Sequence, residues 1–282
     1  MSPDTVSPDT VSPDTVSPDT VSRGAEGLLA GIDGATVVVT GAARGQGAAE
    51  ARLLAQLGAH VIATDVVEPD GALGDGVVFR HLDVADEEAW GQLAADLAET
   101  LRGSMLRGLI NNAGITHRAG IGGTERADWD RVIAVNLTGP MLGMRALAPL
   151  MGDGSSIVNV GSVAGLTGHY TAAYTASKWG LRGLSRVAAV EYGPRGIRVN
   201  TIHPGFIETD MTANAPAAMR EAQLELTPLE RLGEAADVAG LAVFLISDAS
   251  GYISGADLPV DGGFASSAGA KHLADRIAVG TL

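Results

Sequence analysis

Apolar and polar positions change rhythm repeatedly along this chain, and the changes mark out its elements. From Ala35, "TVVVT" (36–40) is a continuous β-branched run, the pattern required of a strand covered on both faces. "GQGAAEARLLAQLG" follows with helical spacing, and "HVIATD" (60–65) predicts a second strand. "VVFRHLD" (77–83) predicts a third, and "DEEAWGQLAADLAETL" a helix whose first turn carries acidic residues, favourable to its dipole. "LRGLINNAG" supplies a fourth strand with its exit loop, and "SSIVNVGS" a fifth after a long helix ending near Met151. "GIRVNTIHPG" and "ADLPVDGG" predict a sixth and a seventh. Strands separated by helix-length segments imply βαβ units. The expected fold class is therefore α/β: a doubly wound (Rossmann) parallel seven-stranded sheet, helices on both faces, in a single domain. The expected strand order is 3-2-1-4-5-6-7, with ligands at the C-terminal ends of the strands.

Ahead of this pattern, residues 2–21 read "SPDTV" four times, with one apolar residue per repeat. Such a segment buries too little surface to offset its ordering entropy, so residues 1–22 are expected to be a disordered leader. Residues 23–264 then form the Rossmann domain, and residues 265–282 a C-terminal tail that either lies on the surface or reaches a neighbouring subunit.

Composition narrows the chemistry. Apolar residues make up 46% of the chain but aromatics only 4%, so the core must be built from Ala, Val, Leu and Ile. No cysteine is present, which excludes disulfides, thiolate nucleophiles and zinc-thiolate sites. The six histidines show no i,i+3 or i,i+4 pairing, so no catalytic metal is expected. No apolar run approaches the roughly 18 residues of a membrane span, and the N-terminus lacks a signal-peptide pattern. A formal charge of -14 disfavours nucleic acid and anionic membranes as partners. The expectation is a soluble, cytoplasmic protein.

Two places carry candidate chemistry. Directly after the first strand comes "TGAARGQG" (40–47), where Gly41, Gly45 and Gly47 suit a sharp turn, a close backbone approach to a pyrophosphate and the start of a helix facing that anion. Asp65 closes the second strand 18 residues after Gly47, where a carboxylate can accept hydrogen bonds from both hydroxyls of an adenosine ribose. The combination favours a dinucleotide. The second place is "AAYTASKWG" (172–180). Only two of the chain's 19 lysines and arginines are lysine, and Lys178 lies four residues after Tyr174, on the same helical face. A free phenol is a poor base near neutrality; an ammonium one turn away, together with the positive ring of an oxidised nicotinamide, is expected to lower its pKa. Lysine is a compact charge with three donors, whereas the planar fork of arginine suits neither the phenol nor a ribose.

With these motifs in order, the chain resembles the classical short-chain dehydrogenases/reductases over about residues 30–264. The resemblance rests on TGxxxGxG at 40–47, Asp65, "LDV" at 82–84, "NNAG" at 111–114, Asn136 in "VNLTG", Ser162, Tyr174 with Lys178, "PG" at 204–205 and "DGG" at 261–263. It implies a catalytic set of Asn136, Ser162, Tyr174 and Lys178. Ser162 would orient the substrate oxygen, and Asn136 would hold a water linking Lys178 to solvent. It implies cofactor contacts from Gly41, Arg44, Gly45, Gln46 and Gly47, from Asp65 at the ribose, and from Asp83 and Val84 at the adenine. Asn111, Asn112, Ala113 and Gly114 would line the cleft. Pro204, Gly205, Ile207 and Thr209 would bound the nicotinamide, alongside Tyr174 and Lys178.

The family commonly has twelve residues between the serine and the tyrosine; this chain has eleven. The shorter loop, "VAGLTGHYTAA", borders the substrate. Segments 115–120, 163–170 and 206–226 are expected to touch substrate, with Leu166, Tyr170, Phe206 and Met211 forming an apolar pocket and His117 and His169 adding polar contacts. The chain looks most like NAD-dependent hydroxysteroid and secondary-alcohol dehydrogenases, through "GLTG", "ASKWGLRGLS" and "RVNTIHPG". The implied function is hydride transfer between NAD(H) and an apolar secondary alcohol or ketone. The implied assembly is a homotetramer, formed through helices at 137–151 and 172–192. A 3-oxoacyl carrier-protein reductase and a non-catalytic dinucleotide-binding sensor or scaffold are the alternatives. Arg44 argues for NADP and Asp65 for NAD; the carboxylate, at the ribose position itself, is expected to prevail.

Overall fold

The computed structural model describes residues 29–213 and 215–279. The leader at 1–22, the first residues assigned to the domain and the last three of the tail lie outside the described residues.

Seven strands form one parallel sheet. They are β1 (Thr36–Thr40), β2 (His60–Asp65), β3 (Val77–His81), β4 (Gly108–Asn111), β5 (Ser156–Val160), β6 (Arg198–Pro204) and β9 (Asp257–Val260). Their order is β3-β2-β1-β4-β5-β6-β9, which is the expected winding. Two short strands, β7 (Ile207–Glu208) and β8 (Gly233–Glu234), pair separately beside it. Side-chain alternation divides each central strand between two cores. Val37 and Val39 face one core with Ala48, Ala51 and Leu54 of α1 (Gly45–Gln56) and Val238, Ala242 and Val243 of α8 (Ala235–Ile246). Val38 faces the other, with Trp90, Leu93 and Leu97 of α2 (Glu87–Leu101) and Leu142, Met144 and Leu147 of α4 (Gly139–Leu147). Every residue of β4, β5 and β6 is buried, and the polar residues among them are Arg198 and a few Asn, Ser, Thr and His side chains.

The long helix expected before β5 is interrupted. It runs as α3 (Arg126–Ile133), a π-helical stretch at Ala134–Thr138, and α4, then a 3₁₀ turn at Ala148–Leu150. Pro140 has no N–H to give the carbonyl four residues back, that of Asn136, so the ladder widens there. Asn136 is fully buried in that turn. The strand order reverses between β1 and β4, and the crevice at their C-terminal ends is bordered by α5 (Ala172–Tyr192) on one side. On the other side lies α6 (Asp210–Ala213), whose Met211 and Thr212 line it, and the following α7 (Ala217–Leu226) buries none of its residues.

Candidate active site

The turn out of β1 is shaped by its glycines. Gly41 and Gly45 have φ of +64° and +59°, the left-handed region in which a side chain is strained. Gly47 plays a different part from the one its spacing suggested: a Cβ there would lie 2.4 Å from both Asn112 Nδ2 and the Gly41 carbonyl. Its missing side chain admits Asn112, whose amide donates to the carbonyls of Thr40 (2.9 Å) and Gly41 (3.0 Å). Thr40 Oγ1 in turn accepts from the main chain of Asn112 (3.1 Å) and Ala113 (3.0 Å), so the loops after β1 and β4 are tied together. Arg44, the N-cap of α1, gives no side-chain cap, and the helix presents its first-turn N–H groups and positive dipole end to the crevice.

Asp65 is oriented by main-chain donors: Ala43 at 3.1 Å on one oxygen, Val66 at 2.7 Å and Val67 at 3.3 Å on the other. The carboxylate is thus held at the mouth of a cleft of about 860 Å³ that runs from Asp65 and Asp83, past the glycine turn, to Ser162, Tyr174 and Lys178. This size is at the upper end for small-molecule sites and suits an elongated ligand. A preset carboxylate at one end, an uncapped helix terminus in the middle and titratable groups at the other fit a nicotinamide dinucleotide.

At the far end, Ser162 follows β5 and caps the 3₁₀ turn Val163–Gly165, its Oγ accepting from Ala164 N at 3.2 Å. Tyr174 and Lys178 lie on α5, with Lys178 Nζ 5.6 Å from the Tyr174 ring centre and donating to the Val160 carbonyl at 2.7 Å. Burial pulls the Lys178 ammonium down to about 8. Burial also pushes the Tyr174 phenol above its ordinary value, and a hydrogen bond with Ser162 offsets only part of that. The expected lowering of the phenol is therefore not achieved by the protein's own groups, because desolvation outweighs the Ser162 hydrogen bond.

Among the cofactor residues named from sequence, Gly41, Arg44, Gly45, Gln46, Asp65, Asp83, Val84, Asn112, Ala113, Gly114, Tyr174, Lys178, Pro204, Gly205, Ile207 and Thr209 line the cleft. Gly47 and Asn136 stand behind its wall. The Asn136 amide donates to the Ile115 carbonyl (2.9 Å) and Ser177 Oγ (3.1 Å) and accepts from Ile115 N (2.8 Å), tying the β4 exit loop to α5. Asn111, expected in the cleft, points into the core instead. Its amide donates to Asn159 Oδ1 at 2.8 Å, and Asn159 donates to Ser185 Oγ at 2.9 Å.

The substrate loops are also rearranged relative to expectation. Of the four apolar residues proposed for the pocket, Met211 lines the cleft, whereas Leu166, Tyr170 and Phe206 do not, and Tyr170 is 55% exposed. His169 packs on Tyr170 and its Nδ1 meets Thr171 Oγ1 at 2.8 Å, at the start of α5. His117 faces Asp128 on α3 at 3.8 Å. Sequence reading missed the parts played by Thr40, by Thr212, which bridges the Ile207 and Thr209 carbonyls, and by His203 with Asp257. The position of His203 directly before "PG" was the one available signal.

Comparison with known proteins agrees with this fold. A family model described as enoyl-(acyl carrier protein) reductase matches residues 41–265. A trans-4-hydroxycyclohexanecarboxylate dehydrogenase of Sinomonas cyclohexanicum is 40% identical over 242 residues, covering 80% of this chain and 91% of that protein. A 3-alpha-(or 20-beta)-hydroxysteroid dehydrogenase of Mycobacterium bovis is 40% identical, covering 82% and 89%. A cyclopentanol dehydrogenase of a Comamonas species is 38% identical, covering 81% and 96%. The crystal structure of a dehydrogenase/reductase from Sinorhizobium meliloti superposes with a TM-score of 0.77 at 39% identity, covering 82% of this chain and 95% of that one.

Proposed function

Because the chain belongs to the short-chain dehydrogenase/reductase family, we propose that it interconverts a cyclic secondary alcohol and its ketone with NAD as the cofactor. The observation that carries this reading is one cleft with the Asp65 carboxylate at one end and Ser162, Tyr174 and Lys178 at the other. Three of the similar proteins are named for alcohols on a ring: a hydroxycyclohexanecarboxylate, a hydroxysteroid and cyclopentanol. That supports a ring-bearing substrate in the space beside Ile115, Thr116 and Met211.

Bound NAD supplies the hydride acceptor. The chain's own residues supply the rest. Ser162 Oγ orients the alcohol oxygen, and Tyr174 takes its proton as the carbonyl forms. Lys178 gives one N–H to Val160, and its remaining donors would hold the nicotinamide ribose when NAD is bound, beside the Tyr174 ring. Its charge favours the phenolate once the positive nicotinamide adds to it, countering the desolvation that holds the phenol high. Asn136, whose main-chain carbonyl is relieved of its helical donor by Pro140, would hold a water through which Lys178 exchanges its proton with solvent. Asp65 accepts the 2'-hydroxyl of the adenosine ribose and repels a 2'-phosphate, so NAD is preferred over NADP. Retention of both Tyr174 and Lys178 argues against a purely nucleotide-sensing role.

We further read the protein as a cytoplasmic homotetramer. No helix among the described residues is long and apolar enough to cross a membrane. Trp179, Val187 and Val190 of α5 are exposed, as a helix awaiting a partner subunit would be. The test of the activity is a panel of cyclic secondary alcohols and steroids with NAD and with NADP, following reduced-cofactor absorbance. Turnover with NAD is expected; absence of turnover in both directions across the panel contradicts the reading.

A further inference from the structure

Behind the catalytic wall lies a hydrogen-bonded chain, buried at His203, that the reaction itself does not use. His203, at the C-terminal end of β6, is 0% exposed. Its Nδ1 lies 2.8 Å from the Ser162 carbonyl oxygen and 3.4 Å from Ser162 N. Its Nε2 lies 2.9 Å from Asp257 Oδ1 at the start of β9. The ring thus meets the main chain of Ser162 through one nitrogen and the Asp257 carboxylate through the other. The preceding residue leaves room for the ring: a Cβ on Gly161 would stand 2.7 Å from His203 Nδ1. Imidazole and glycine are thus fitted to one another directly beside Ser162.

The carboxylate at the other end of the ring is anchored to the helix that carries the remaining catalytic groups. Asp257 Oδ2 accepts from Arg182 Nε at 2.8 Å and from Arg186 Nη2. Tyr174, Lys178, Arg182 and Arg186 follow one another at intervals of four on α5. The two hydrogen-bonding groups that must meet one substrate oxygen come from separate elements, Ser162 from the β5 exit and Tyr174 from α5. Asp257 and His203 form a continuous bridge between those elements. A misplacement of about 1 Å at such a site is enough to cost about a hundredfold in rate.

We propose that His203, braced by Asp257 and the α5 arginines, is a positioning residue that fixes the main chain of Ser162 so that its hydroxyl and the Tyr174 phenol converge on the same oxygen. The inference rests on the dehydrogenase reading above, and a double-mutant cycle with Ser162→Ala separates the two. His203→Ala is expected to lower kcat by about 10- to 100-fold, with the dissociation constant for NADH unchanged within about twofold. In the Ser162→Ala background the same substitution is expected to cost no more than about twofold, since there is no hydroxyl left to misplace. Should His203→Ala fail to fold, Asp257→Asn, which keeps the shape of the carboxylate, runs the same cycle with the same expectation. Equal losses in both backgrounds, a folded variant with unchanged kcat, or a loss that follows NADH affinity overturns the inference while leaving the activity intact. A wild-type protein that turns over no alcohol removes the activity, and this inference with it.

Discussion

The two ends of the sheet treat polar groups in opposite ways. At the N-terminal ends of the strands, arginines close off helix termini. Arg107 donates to the Ile246 carbonyl at 2.8 and 3.0 Å, Arg198 to those of Leu245 (2.8 Å) and Ser247 (3.1 Å), and Arg195 to those of Ala148 (2.7 Å) and Met151 (2.6 Å). Cations at the negative ends of α8 and α4 satisfy orphan carbonyls and the dipole together. At the C-terminal ends the opposite holds: α1 begins without a side-chain cap, and among the described residues Lys178 gives a single hydrogen bond, to Val160. One end is saturated and supports the fold, while the other keeps donors and charges for a ligand. Arginine serves the first because it spans several carbonyls at once, and lysine serves the second because it is a compact charge.

Substitutions at each end should therefore separate activity from stability. Lys178→Arg keeps the charge but not the shape in a site only 4% exposed, and is expected to lower kcat/KM by about a hundredfold or more with little change in thermal stability. Asp65→Ser comes next. Wild type should prefer NAD over NADP by at least about a hundredfold in kcat/KM, and the substitution should erase most of that ratio. A wild-type preference for NADP, or a ratio that the substitution leaves untouched, contradicts the role given to the carboxylate.

At the opposite end, Arg198→Met should leave kcat/KM unchanged and cost about 2 to 4 kcal/mol in denaturant unfolding, because it strands buried carbonyls. Burial, with Arg107 nearby, already lowers that guanidinium to about 10, although Asp248 opposes the shift. A loss of activity without loss of stability would break the division between the two ends.

A smaller effect is expected at Glu50, buried on α1 with neither carboxylate oxygen hydrogen-bonded among the described residues. Burial raises its carboxyl from 4.5 to about 8. Between those values the folded protein keeps a proton that the unfolded chain has released, so stability falls as pH rises through the window, by on the order of 1 kcal/mol per pH unit. Glu50→Gln should flatten that slope in unfolding measured from pH 5 to 8; an unchanged slope would place the titration elsewhere.

Much of this contrast could be read from the chain itself, for identifiable reasons. β-branched runs report strands buried on both faces, and glycines at 41 and 45 report left-handed backbone in which a side chain is strained, so the sheet and its nucleotide turn were legible. The Tyr174 and Lys178 pair was legible because helical spacing alone brings them together. What was hidden depends on contacts between distant segments. Asn111 and Asn112 are adjacent and identical, yet strand alternation sends one into the core and the other to the cleft. The His203 to Asp257 bridge spans 54 residues, and no local pattern announces it. The phenol's raised pKa follows from burial, which is a property of the assembled site and not of spacing.

The central claim, that the open end of the sheet binds a dinucleotide and then uses Tyr174 for proton transfer, is tested most directly by Tyr174→Phe, with NADH binding and turnover measured on the same preparation. The account predicts an NADH dissociation constant within about twofold of wild type and a kcat lower by about 10² to 10⁴. A variant that keeps most of its turnover while binding NADH normally would contradict it.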